Sequence, residues 1–68
     1  MNGVVRRYDV RRGVGQIARD SDDAEVFVHV SELERAGLSS LSIGDRVSFD
    51  VQTDRLLKRS HATNLQML

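Results

Sequence analysis

Hydrophobic and polar residues alternate along most of this chain, with the period of two that a half-buried strand requires. The pattern is plainest at Arg46-Val47-Ser48-Phe49-Asp50-Val51-Gln52, where Val47, Phe49 and Val51 share one face and polar residues hold the other. Val26-Phe27-Val28-His29-Val30 repeats it, with the three valines on one face and Phe27 and His29 on the other. The opening from Gly3 to Val10 is less regular, because Val4-Val5 runs into Arg6-Arg7-Tyr8. Such a break of phase predicts a bulge or a strong bend. After a turn at Arg11-Arg12-Gly13, Gly15 interrupts the next strand and marks tight curvature or close backbone approach. Ile17 points inward in phase with Gly15, which leaves Val14 and Gln16 on the opposite face. A last strand over 61–67 is expected to turn Thr63 and Leu65 inward.

The segments between are short. Arg19 to Ala24 is a polar, acidic loop. Ser31 with Glu34 three residues on fits a capping box, and Gly37 fits a C-terminal stop. About one helical turn fits between them, anchored by Leu33. Leu38 to Leu41 is loop, Ile43-Gly44-Asp45 is a turn, and Thr53 to Ser60 is a polar connection interrupted by Leu56-Leu57. Five short strands, one helical turn and no proline in 68 residues predict one all-β domain, 1–68, built as a small five-stranded barrel. Its expected core is Val5, Ile17, Val26, Val28, Leu33, Val47, Phe49 and Leu65.

Composition removes several function classes. With no cysteine there is neither a disulfide framework nor a thiolate metal site, and two histidines 32 residues apart make a poor zinc site. No catalytic spacing of nucleophile, base or paired carboxylates stands out, and Gly13-Val14-Gly15 is too short for a dinucleotide fingerprint. No enzyme, cofactor, metal or small-molecule substrate is expected. There is no 18-residue apolar run, and Met1-Asn2-Gly3-Val4 lacks a leader's apolar region, so no membrane role and a cytoplasmic location are the expectation. The formal charge is zero, yet it is unevenly spread. Residues 1–19 carry five arginines against Asp9, residues 20–34 carry six carboxylates and no Lys or Arg, and residues 55–68 add Arg55, Lys58 and Arg59. An even total can therefore hide a basic face.

Phe27 and His29 are the candidate chemistry. Two flat rings side by side on the outer face of a strand suit base stacking, at about 1–3 kcal/mol per base. The competing reading is an ordinary strand whose outer face a loop or partner covers.

In order and spacing the chain resembles the bacterial cold-shock proteins over essentially its whole length. Val26-Phe27-Val28-His29-Val30 resembles the family's second ribonucleoprotein-like motif, and Arg12-Gly13-Val14-Gly15-Gln16-Ile17 resembles the first, with both glycines and the isoleucine kept. Gly3-Val4-Val5-Arg6 resembles the family's start. Leu41-Ser42-Ile43-Gly44-Asp45-Arg46-Val47-Ser48-Phe49 resembles its approach to the fourth strand, and Ala62-Thr63-Asn64-Leu65 its closing segment. The resemblance implies an antiparallel Greek-key barrel of the oligonucleotide-binding type that binds single-stranded RNA or DNA on its first three strands. It further implies RNA chaperone-like action of low sequence specificity, with an influence on transcription or translation.

The departures bear on function. The family's usual tryptophan is here Arg7, two phenylalanines of the first motif are Val14 and Gln16, and two later ones are Val30 and Leu38. Only Tyr8, Phe27 and His29 stay aromatic. The glycine-rich turn before the last strand becomes Asp54-Arg55-Leu56-Leu57-Lys58-Arg59, about two residues longer than the family's. Several lost stacks of even ~1 kcal/mol each would weaken binding by orders of magnitude. Arginine is the candidate replacement, since its guanidinium stacks on bases and pairs with phosphate. The expected nucleic-acid-binding residues are Arg6, Arg7, Tyr8, Arg12, Gln16, Phe27 and His29, in a monomer or weak homodimer. Against this, the arginines can be solvated charges balancing the acidic loop, Tyr8 can be half-buried packing, Gln16 a generic exposed residue, and His61 an edge or core histidine. The alternative function is a protein-interaction barrel, in which Val14, Val30, Leu38 and Leu56-Leu57 form an apolar contact patch.

Overall fold

The alternating segments become strands wherever one face can be buried. A computed structural model describes residues 1–68 as β1 (Asn2–Asp9), β2 (Val14–Arg19), β3 (Glu25–His29), α1 (Val30–Arg35), β4 (Arg46–Asp54) and β5 (Arg59–Met67). The strands close into a barrel in the order β1-β2-β3-β5-β4, the five-stranded architecture expected. β1 pairs antiparallel with β2 and β4, β2 with β3, and β4 with β5. The one departure from an all-antiparallel barrel is its closure, a short parallel contact in which Phe27 of β3 lies beside His61 of β5. Chain direction requires it: β3 and β5 both run the same way as β1.

The phase break in β1 is a bulge. Val5 lies opposite Ile17 and Arg7 opposite Gln16, so Arg6 is the extra residue. The bulge exposes Arg6 and Arg7 together and brings Tyr8 opposite Gly15.

All eight expected core residues are buried, and Leu41 and Ala62 join them. Leu41 lies in a loop, where no periodicity marks it. In β5 the expectation for Thr63 needs correction. Ser48 pairs with Gln66 but Asp50 with Thr63, so β5 carries one extra residue there. Asn64 absorbs it at φ 52, a left-handed conformation that asparagine tolerates better than most residues. The phase slips, Ala62 and Leu65 point into the core, and Thr63 is only half-buried.

α1 starts two residues earlier than a Ser31 cap would allow. His29 is the N-cap: its Nδ1 accepts the Ser31 N–H at 3.1 Å, and Ser31 Oγ lies 2.9 Å from the same nitrogen. The expected capping box is thus replaced, because Ser31 already sits inside the first turn. The stop at Gly37 is as expected. Gly37 has φ +76, Leu38 N–H donates to Leu33 O at 2.8 Å, and Gly37 N–H donates to Glu34 O at 3.1 Å. These are the paired bonds of a Schellman motif, and Leu38 folds back to pack against the core.

β4 and β5 also run further than the sequence suggests, leaving only residues 55–58 as a loop. Asp54 Oδ1 accepts the N–H groups of Leu56 at 2.9 Å and Leu57 at 3.2 Å, a side-chain turn that lets the ladder extend to Asp54 and Arg59. No helix is long and apolar enough to cross a membrane.

Candidate functional site

Cross-strand register decides which outer side chains meet. Gln16 of β2 lies opposite Arg7 of β1 and opposite Phe27 of β3. Phe27 in turn lies beside His61 of β5, which faces Gln52 of β4. Residues directly opposite one another share a face. One outer row therefore reads Arg7, Gln16, Phe27, His61, Gln52. A second, shorter row reads Asp9, Val14, His29. Phe27 is 43% exposed, a large apolar ring left uncovered at the centre of the longer row.

Gly15 makes this face possible from behind. A Cβ on Gly15 would stand 2.7 Å from the Arg7 carbonyl oxygen and 2.9 Å from Tyr8 Cδ1. Only glycine admits that approach, which seats the Tyr8 ring on the inner phase of the sheet. Tyr8 is half-buried against the core. Its reading as packing is the one the structure supports.

The arginines divide by their partners. Arg6 lies 3.8 Å from Asp23 of the acidic loop, and Arg12 Nε lies 4.0 Å from Asp9. Arg19 pairs with Asp22, Arg35 with Glu32, and Arg46 with Asp20. Arg7 has no carboxylate within ion-pairing distance, so among the three candidate arginines it alone is free of an acid. The balancing of charges by the acidic loop thus describes Arg6 and not Arg7. A cleft on the outer face is lined by Arg7, Asp9, Arg12, Val14, Gln16 and Phe27, and brings four of the seven candidates together. Arg6 lies beyond it, in a neighbouring depression with Arg7, Ala18, Asp23 and Glu25.

The acidic loop is itself held closed. The Arg19 guanidinium and the Ala24 N–H both bond Asp22, and together they hold its carboxyl below the usual aspartate value. A lowered pKa stabilises the loop above the ordinary aspartate range, and that contribution is lost as pH falls through the lowered value.

His29 has two tasks. Its exposed ring stands in the second row, and the ring's Nδ1 is occupied by the N-cap bonds. Acceptance at Nδ1 leaves the proton of the neutral ring on Nε2, on the free edge. Replacing His29 by alanine removes ring and cap together and is expected to cost about 1 kcal/mol of stability. His29→Asn keeps a capping side chain without the ring. The two variants, compared by urea midpoint and by oligonucleotide affinity, separate the tasks: asparagine should hold the midpoint near the parent's and still lose affinity.

His61 is not among the binding residues the sequence suggests. Its place beside Phe27 depends on a parallel pairing between distant strands, and no local pattern announces it. Two carboxylates are equally hidden. Asp9 heads the second row, and Glu25 shares the Phe27 face of β3 by strand periodicity. The face is mixed in charge rather than uniformly basic.

The apolar patch of the protein-interaction alternative does not assemble. Val30 N–H bonds Gly13 O, which places Val30 beside the β1–β2 turn and near Val14. β5 runs parallel to β3, so the β4–β5 tip with Leu56 and Leu57 lies at the opposite end, by Glu25. Leu38 is committed to the core. No group of three or more His, Cys, Asp or Glu side chains is placed to hold a metal ion.

A family model described as the 'Cold-shock' DNA-binding domain matches residues 1–68. The chain is 41% identical over 64 residues to a probable cold shock protein of Sinorhizobium fredii, covering 94% of this chain and 93% of that one. It is similar at 38% identity over 65 residues to a cold shock protein of Rhizobium meliloti, covering 96% and 94% of the two chains. A cold shock protein of Bacillus subtilis is 38% identical over 64 residues, covering 94% and 92%.

Proposed function

The chain belongs to the cold-shock domain family, and from that premise we propose that it binds single-stranded RNA or DNA across the outer face of β1, β2 and β3. The observation that carries the proposal is the row Arg7, Gln16, Phe27: an uncovered aromatic ring in register with an unpaired guanidinium. Bases stack on Phe27 and on His29, and Arg7 lies flat against a base or pairs with the phosphate beside it. Gln16, between them, offers an amide to a base edge. Such contacts read any base, so specificity is low. Holding bases unstacked keeps strands open, which is RNA chaperone-like action and a route to influence on transcription or translation.

With two stacking rings in place of a broad aromatic platform, charge takes a larger share of the affinity. Binding is then strongly salt-dependent. A pyrimidine-rich oligonucleotide titrated at low and moderate salt, with the mass of the complex measured alongside, tests the reading. Tight binding at low salt that fades steeply at moderate salt supports it; no binding at low salt sinks it.

Arg7 is the sharpest point on this face. Arg7→Trp restores the family's usual stack and deletes one charge. It is expected to tighten binding at moderate salt and to reduce the log–log salt slope by about 0.7, one single-strand phosphate contact. Equal affinities for the parent and Arg7→Trp at every salt concentration would mean that Arg7 points away from the ligand.

A further inference from the structure

Leu56 is 94% exposed and Leu57 64% exposed, side by side at the tip of the β4–β5 hairpin. They contribute nothing to the core, yet the tip is not slack. Asp54 Oδ1 takes both of their N–H groups, and Lys58 closes the turn at φ 52. Around the leucines stand Arg55, Lys58 and Arg59, none with a carboxylate within ion-pairing distance. The acids of the neighbouring loop are taken elsewhere: Asp20 by Arg46, Asp22 by Arg19 and Asp23 by Arg6. Within the hairpin tip the one acid, Asp54, holds the turn, and Glu25 of β3 lies at its base. The hairpin thus ends in two exposed leucines on a turn whose backbone is held, flanked in sequence by three cations without an ion-pair partner.

The tip also continues the outer face. His61 lies beside Phe27, and with Gln52, Thr53, Asp54 and Arg55 it lines one depression at the base of the hairpin. Arg59 shares His61's side of β5. A strand lying over Phe27 can therefore pass across His61 and arrive at Arg55 and Arg59, directly below the leucines.

We propose that this tip is a wedge for the junction between single- and double-stranded nucleic acid. The single strand rests on the Phe27–His61 row. Leu56 and Leu57 press against the first base pair of the adjoining duplex, and Arg55, Lys58 and Arg59 hold its phosphates. Apolar side chains inserted at a base step unstack it, and flanking cations offset the repulsion between the strands brought there. This assignment rests on the single-strand reading above and adds the second half of the ligand. A lipid surface is disfavoured by the absence at the tip of Trp and Tyr, the aromatic residues enriched at membrane–water interfaces. A second copy of the chain is disfavoured by the crowding of three like charges about two small side chains.

The test uses two probes. One is a short pyrimidine single strand. The other is a stem-loop carrying that strand as a tail, with a fluorophore and quencher across the base of its stem. The parent, Leu56→Ser/Leu57→Ser and Phe27→Ala are compared. Because both leucines are solvent-exposed, the double variant keeps the fold. It is expected to bind the plain strand as the parent does while opening the stem roughly tenfold less well. Phe27→Ala is expected to lose both. If the double variant opens the stem as well as the parent, the wedge is refuted and the single-strand reading stands. If it loses the plain strand equally, the leucines belong to the stacking surface and the wedge is again refuted. A Leu56- and Leu57-dependent change in mass, or in binding to anionic vesicles, would overturn the proposal in favour of a dimer or a lipid contact. A parent that binds neither probe removes the single-strand reading and the wedge with it.

Discussion

Phe27→Ala is expected to weaken single-strand binding by about 1–3 kcal/mol, roughly a fivefold to 150-fold loss, while leaving the urea midpoint close to the parent's. The size follows from what the ring is free to do. Phe27 stands at the centre of a row that crosses the barrel, with Gln16 on one side and His61 on the other, and much of its surface faces solvent. Its neighbours in sequence, Val26 and Val28, point the other way and are buried. Truncation of Phe27 thus removes a stacking surface without opening a cavity. With so few aromatic side chains on the face, no neighbour substitutes for it. A Phe27→Ala variant that bound as tightly as the parent would place the stacking surface elsewhere; one that unfolded would make Phe27 a structural residue.

Phe49→Ala carries the largest expected loss of stability. Phe49 is the largest of the fully buried side chains, and β5 lays its extra residue opposite it. A Cβ on Gly3 would stand 3.0 Å from Phe49 Cε1, so the ring fills the barrel up to the backbone of β1. Removing a buried phenylalanine costs about 3–5 kcal/mol in comparable cores. A domain of this length buries only about 60% of its unfolded surface, and small domains are stable by only about 5 kcal/mol or somewhat more. The variant is expected to be partly unfolded at room temperature, with its urea midpoint lowered by more than half. A midpoint within a few tenths molar of the parent's would contradict the packing described for the core.

The core was legible because burial is periodic. Val26 and Val28, and Val47 and Phe49, announce an inner face by spacing alone, and the structure buries all four. The break at Arg6-Arg7 was legible too, since two arginines in succession cannot both alternate outward without an extra residue. Hidden features were those set by distant pairing. The Asn64 bulge that exchanges Thr63 for Ala62 depends on the register against β4. The place of His61 beside Phe27 depends on barrel closure. His29 was legible as an outward ring but not as a helix cap, because its Nδ1 bonds arise only where β3 turns directly into α1. Charge was the least legible. Arg6, Arg7 and Arg12 look equivalent in sequence, and only the fold shows that Asp23 and Asp9 take two of them.

That division gives the face its character. The free guanidinium of Arg7 lies at one end of the row and the cations of the β4–β5 hairpin at the other, with Phe27 and His61 between. Asp9 and Glu25 temper the attraction for phosphate, so a ligand gains most where it can stack and pair at once. Affinity should accordingly fall steeply with salt, and a duplex of equal charge, which offers Phe27 no exposed base, should compete poorly with a single strand.

Whether the ligand lies along the Arg7, Gln16, Phe27, His61 row is tested most directly by amide chemical-shift mapping. The isotope-labelled chain is titrated with a short pyrimidine strand at low salt. Shifts are predicted to concentrate at Arg7, Gln16, Phe27, His29 and His61, with α1 residues such as Glu32 and Arg35 unmoved. No shifts at all, or shifts centred away from this row, on the depression that Arg35 of α1 and the following Ala36 form with Asn64 and Gln66 of β5, would contradict that placement.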